Sequence, residues 1–193
     1  MHGVEEERQR LFIAVPLPDR LQGFVGGTQQ LLPSLPGLRL LRADQLHVTL
    51  AFIGEVDKDG AAAAQAVVES VPDGMGGEGL MSRFLLLPSA SKTRVVTLEV
   101  TDGEGVFARL FARIMGGLET AGVMEREKRP FRPHLTVARL RVPGPVQPRS
   151  ESGQARFAVE SVCLYKSELK REGAAYTVLA RTVFGRRESE ETA

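Results

Sequence analysis

The chain has 193 residues, enough to bury one sizeable core or two small lobes that share one. Its 42% apolar and 25% charged content excludes disorder through the body of the chain, and a net charge of +1 excludes a global basic field that would draw in nucleic acid. The apolar runs fall far short of the roughly 20 residues that cross a bilayer, and one cysteine, Cys163, excludes an internal disulfide and a cysteine metal cluster. The acidic start at 1–8 lacks the basic-then-apolar order of a secretory leader, so a cytoplasmic location is expected. Arginine supplies 20 of the 25 cations, and its planar fork suits phosphate. Genomic base composition explains that bias equally well.

Arg10–Val15 reads as a buried strand ended by Pro16 and Pro18. Residues 18–33 read as a helix weakened by Gly26-Gly27. A turn at Pro33–Gly37 leads through Leu38–Leu41 to a strand at Leu46–Ile53, and alanine-rich Asp57–Ser70 predicts a helix capped by Asp57 or Asp59. Gly74–Gly79 reads as a flexible loop before strands at Arg83–Leu87 and Arg94–Val100. Val106, Leu110, Phe111, Ile114 and Leu118 share one face of a helix at Gly105–Thr120, with Gly122 at its end. A strand at Arg132–Leu140, a Pro/Gly/Ser loop at Pro143–Gly153, and strands at Arg156–Tyr165 and Tyr176–Val183 follow. In this last stretch Cys163 reads as a small strand hydrophobe. The charged tail 186–193 and residues 1–9 are expected to be flexible, leaving 10–185 as a single domain.

Two of the three histidines stand in matching frames, His47-Val48-Thr49-Leu50-Ala51 and His134-Leu135-Thr136-Val137-Ala138; His2 is terminal. Each frame follows a strand that opens on arginine and a helical stretch, at offsets of 84 for the arginines and 87 for the histidines, which suggests a duplicated lobe. Arg83-Phe84 and Arg156-Phe157 form a third candidate pair. Side chains at i and i+2 of a strand share a face, so each histidine projects with its threonine. Two converging copies would hold a tetrahedral anion, with two hydroxyls donating to it and two imidazoles, one neutral and one cationic, moving protons. A structural role is the ordinary reading of a lone strand histidine; the matched pair argues against it. A zinc site needs three or four ligands, and no third one is in view.

At these residues the sequence resembles the two-histidine phosphoesterase superfamily, and specifically the LigT/ThpR-type RNA 2′,3′-cyclic phosphodiesterases of the 2′-5′ RNA ligase family. The likeness spans about residues 10–183 and includes Arg10–Val15, Leu46–Val56, Phe131–Arg139 and Tyr176–Leu179. It implies an α+β fold, bilobal and pseudo-symmetric, with two antiparallel sheets around a central cleft and helices packed outside. It also implies hydrolysis of an RNA 2′,3′-cyclic phosphate to a 2′-phosphate, with no cofactor or metal, by a monomer whose partner is RNA or an oligonucleotide carrying that end. The reverse reaction would join RNA through 2′-5′ linkages. Carried over, His47 protonates the leaving 3′ oxygen, His134 activates water, Thr49 and Thr136 bind phosphate oxygens, and Arg139 neutralises the phosphate.

Strict alternation puts Arg139 on the face opposite His134 and Arg132 on the same face. Either the strand bulges after Thr136, or Arg132 serves instead. Relatives often carry tryptophan where this chain has Leu40 and Thr97, and a basic residue at Ala51, so base stacking has no obvious agent. Phe12, Phe52 and Tyr165 are candidates, though core positions suit each. Other readings are a 2′-5′ oligonucleotide phosphodiesterase and a nucleotide- or RNA-binding module without turnover; the paired proton-transfer groups disfavour the module.

Overall fold

The computed structural model describes residues 8–185 apart from 126, 128, 171 and 172. His2 and the charged tail lie outside them, and the first strand already begins at Gln9. The strands are β1 Gln9–Pro16, β2 Leu38–Leu40, β3 His47–Val56, β4 Gly77–Leu87, β5 Thr93–Thr101, β6 His134–Gly144, β7 Ala155–Val159, β8 Ser161–Lys170 and β9 Gly173–Val183. The helices are α1 Gln22–Gln30, α2 Lys58–Glu69 and α3 Val106–Thr120.

The fold is α+β, with antiparallel strands in the order β7-β4-β5-β6-β3-β1-β8-β9 and β2 on β6. It divides at the middle. β6 and β3 meet through one residue pair, Val48 with Leu135; β7, β4, β5 and β6, with β2 added on β6, lie on one side of it, and β3, β1, β8 and β9 on the other. β1 flanks β3 as β5 flanks β6, the arrangement that the arginine and histidine offsets suggest. The third candidate pair does not follow the duplication. Arg83-Phe84 lies on β4 and Arg156-Phe157 on β7, which are neighbours in the same half. Nor is 156–165 one strand. It breaks at Glu160, and β7 pairs with β4 in one half while β8 pairs with β1 in the other.

One face of the sheet carries the main core. α3 sends Val106, Phe107, Leu110, Ile114, Met115 and Leu118 into it, all fully buried, and α2 adds Ala64, Val67 and Val68. Burial of this apolar area drives the helices onto the strands. Asp57 caps α2 by accepting from the Gly60 N–H at 2.8 Å, and Gly122 takes the left-handed conformation (φ 67°) just after α3. The opposite face carries a second, small cluster of Phe12, Ala14, Cys163 and Tyr165, with Tyr176 packed against it.

The glycine-rich stretch 74–79 is not a free loop. From Gly77 it belongs to β4, where Gly79 pairs with Phe157. A Cβ on Gly79 would stand 2.7 Å from the Phe157 ring and 2.9 Å from that of Phe107, so glycine here makes room for two buried rings rather than for flexibility. Gly79→Ala is therefore expected to lower stability by about 1–3 kcal/mol, read as an earlier midpoint in chemical denaturation.

Candidate active site

β3 and β6 carry the same irregularity. Ala14 pairs with Thr49 and Ile13 with Ala51, leaving Leu50 unmatched. Thr97 pairs with Thr136 and Val96 with Ala138, leaving Val137 unmatched. Each is a bulge of one residue, and it sends two consecutive side chains into the core: Leu50 and Ala51 in one copy, Val137 and Ala138 in the other. Beyond the bulge the alternation is inverted. Arg139, on the wrong face by simple parity, thus joins His134 and Thr136, and Phe52 joins His47 and Thr49. Cross-strand partners share a face, and Phe12, which packs on His47, pairs with Phe52.

The pair Val48–Leu135 follows directly on the two histidines and brings them together across the seam. His134 Nδ1 lies 2.8 Å from the Arg132 carbonyl oxygen. A carbonyl only accepts, so Nδ1 carries the proton and the neutral ring keeps its lone pair on Nε2. His47 is oriented in the corresponding way, by a hydrogen bond to the main chain of Gln45, also two residues earlier. Rings of Phe12 at 4.8 Å, Tyr176 at 5.4 Å and Tyr165 at 6.1 Å surround it. That burial, with the Arg139 and His134 charges adding to it, pushes the His47 pKa down to about 4, against the Gln45 bond that raises it. Burial likewise raises the Tyr165 hydroxyl above its ordinary value.

Thr49 and Thr136 are partly exposed, and neither hydroxyl has a hydrogen-bond partner among the described residues. Arg139 is exposed and makes no ion pair among them. Arg132 precedes β6, so strand parity does not apply to it. It lines a pocket of about 310 Å³ together with Thr49, Phe52, Phe111, Phe131 and His134. Two glutamines escaped the sequence reading. Gln29 of α1 donates to the carbonyl of the bulged Val137 at 2.9 Å and to Leu41 at 2.8 Å, holding the bulge open. Gln45, 4% exposed, donates to the Ala174 carbonyl at 2.7 Å and accepts from the Arg42 N–H at 3.1 Å, fixing the turn that holds His47. Nothing in the spacing around Gln29 signals its role, whereas Gln45 stands at the position that the histidine frame makes important.

Residues 17–171 match the 2′-5′ RNA ligase superfamily. The chain belongs to that family. It is 31% identical over 190 residues to the RNA 2′,3′-cyclic phosphodiesterase of Thermus thermophilus, covering 89% of this chain and 88% of the relative. The Archaeoglobus fulgidus protein of the same name is 28% identical over 86% of this chain and 96% of its own. Among solved structures, E. coli LigT complexed with 3′-AMP superposes with a TM-score of 0.79 at 26% identity, covering 93% of this chain and 100% of that one. A structure from Thermus thermophilus gives 0.75 at 28%, covering 91% and 97%. No helix among the described residues of this ligase-superfamily chain is long and apolar enough to cross a membrane.

The Arg139 charge disfavours protonation of His47, so Arg139→Met is expected to raise the His47 pKa above about 4, measured by NMR titration of the imidazole. Folding also depresses that pKa from the 6.5 of a free histidine. The unfolded chain therefore binds the extra proton first, and stability falls as pH drops from about 6.5 to about 4. The wild-type protein is expected to lose up to about 3 kcal/mol more than His47→Gln across that window, compared by denaturant titration at pH 7 and pH 4.

Proposed function

We propose that this chain hydrolyses RNA 2′,3′-cyclic phosphate ends to 2′-phosphomonoesters by metal-independent acid–base catalysis at His47 and His134, acting as a monomer in the cytoplasm. The observation that carries this reading is the seam. Two imidazoles, two threonine hydroxyls without a hydrogen-bond partner among the described residues and one arginine without a carboxylate among them face a common space across a single strand pair. A phosphodiester anion fits that set: Thr49 and Thr136 donate to its non-bridging oxygens and Arg139 offsets its charge. Relatives of this chain are named for this reaction, and LigT has been crystallised with 3′-AMP.

His134 fits the base. Its Nδ1–H is held by the Arg132 carbonyl, so Nε2 accepts the proton of water as the water oxygen attacks phosphorus. The bond from phosphorus to the 3′ oxygen breaks, and His47 delivers a proton to that oxygen. His47 is neutral in the free protein at physiological pH because it is desolvated and faces Arg139. A bound phosphate anion offsets Arg139 and raises the affinity of His47 for a proton, so the acid is charged when substrate is present. An RNA 5′-hydroxyl in place of water would give a 2′-5′ linkage by the same geometry.

Incubation of RNA ending in a 2′,3′-cyclic phosphate is expected to yield a 2′-phosphate with or without EDTA. His47→Ala and His134→Ala should each cost about 10²–10⁴-fold in kcat with folding retained, and Arg139→Ala about 10²-fold, more than Arg132→Ala. Loss of activity on chelation would overturn the metal-free mechanism. Salt-sensitive binding without turnover would replace the enzyme by a binding module.

A further inference from the structure

The two halves match at their histidine strands and differ in what stands opposite each histidine. On β1 the cross-strand partner of His47 is Pro16, which has neither a charge nor an N–H. At the matching place on β5 the partner of His134 is Glu99. Glu99 lies between Leu98 and Val100, both in the core, so its own side chain points to the cleft face. Directly opposed residues of an antiparallel pair share a face and stand about 4.5–5.5 Å apart at Cβ. A carboxylate thus sits beside the second imidazole and not beside the first.

Glu99 is held from its far side. Arg83 Nε donates to its Oε2 at 2.8 Å and Nη2 to its Oε1 at 3.2 Å, a two-pronged clamp. A further bulge builds it. Met81 pairs with Val100 and Phe84 with Leu98, so Ser82 and Arg83 together oppose Glu99. The Arg83-Phe84 step that stood out in the sequence is therefore where β4 turns an arginine onto a cleft carboxylate. An ion pair whose arginine is 73% exposed adds little to stability, so its place beside His134 is the feature to explain. The negative end of the pair lies next to the ring, and Arg83 lies one strand further off. The other charged groups around His134 are His47 on β3, Arg139 along β6 with Arg39 opposite it on β2, and Arg132 just before β6. Glu127 and Arg129 share its pocket and pair with each other at 3.3 Å, while α3 brings Phe111 and Met115 there. The arginines among these groups disfavour a cation on His134; Glu99 favours one.

We propose that Glu99, aimed by Arg83, makes His134 rather than His47 the proton acceptor, by stabilising the cation that forms on the His134 ring. This rests on the reading of the two histidines as an acid and a base at a cyclic phosphate. As water attacks phosphorus its proton passes to Nε2, Nδ1–H stays on the Arg132 carbonyl, and the positive charge of the ring meets the carboxylate across the strand pair. Arg83 offsets part of the Glu99 charge, so the pull on the proton is graded and the resting ring is left free to act as a base. Glu99 acts through His134, as a positioning residue. Two strands of one design then take different tasks because one residue of the flanking strand differs.

The test breaks the ion pair from either side. Glu99→Gln leaves the Arg83 cation and Arg83→Met leaves the carboxylate, so a role in stability alone makes the two variants alike. The charge argument makes them opposite. In NMR titrations of the full chain, the His134 ring is expected to take up its proton about 0.5–1 pH unit lower in Glu99→Gln and about as much higher in Arg83→Met, with the double variant close to the wild type. On RNA ending in a 2′,3′-cyclic phosphate at pH 8, Glu99→Gln should lower kcat about 3- to 10-fold with KM unchanged, and Glu99→Asp should restore part of the loss. Arg83→Met should lose more activity at pH 6 than at pH 8. Ring shifts of the same sign in both variants, shifts in the reverse order, or none in either would sink the assignment. If the wild-type chain leaves that RNA uncut, the reading of the reaction falls, and the ring titrations alone decide what Glu99 does to His134.

Discussion

Two apolar side chains, Val48 and Leu135, hold the site together. Both are buried, and they are the partners through which β3 and β6 meet. Each is the residue after a histidine. Pairing them therefore fixes the separation of the imidazoles without any bond between the imidazoles themselves. The hydrophobic core does the positioning, and the polar groups ride on the other side of the same strands. A cationic arginine beside two histidines is unfavourable on its own; burial of Leu50, Ala51, Val137 and Ala138 directly beneath supplies the compensation.

The bulges turn this frame into a cradle. A regular strand offers every second residue, which would give a histidine and a threonine and then turn the fifth residue to the core face. One extra residue reverses the alternation and brings in the fifth. The carbonyl left over at Val137 does not go unpaired, because it accepts from Gln29 and from the Leu41 N–H at 3.0 Å. The site thus depends on a helix, α1, that contributes no residue to the chemistry.

Strand identity and the two histidine frames were legible in the sequence, because alternation and turn residues are local signals. So were α2 and α3, whose apolar stripes and caps are local too. What escaped was set by contacts between distant residues. The strand at 77–79 is hidden in a glycine-rich stretch, where Gly79 makes sense only beside Phe157 and Phe107. The break at Glu160 separates β7 from β8, although the apolar pattern on either side runs on. Simple parity misplaced Arg139, since a bulge leaves no mark in one sequence, and the sequence offered the bulge only as one of two ways out. Gln29 looked like any exposed helix residue.

The crossover at Glu160 has a consequence for how the chain is made. β1, at the start of the protein, has β3 on one edge and β8 on the other, and β8 lies about 150 residues further on. On the ribosome β1 therefore stands with an unsealed edge until β8 has emerged. Loop closure over that distance is slow, and an open edge invites pairing with a stranger. His47 sits one strand away from that edge, and Tyr165 and Tyr176, which wall it in, arrive only with β8 and β9. β8 and β9 must therefore be made before the first histidine acquires the aromatic surroundings that lower its proton affinity.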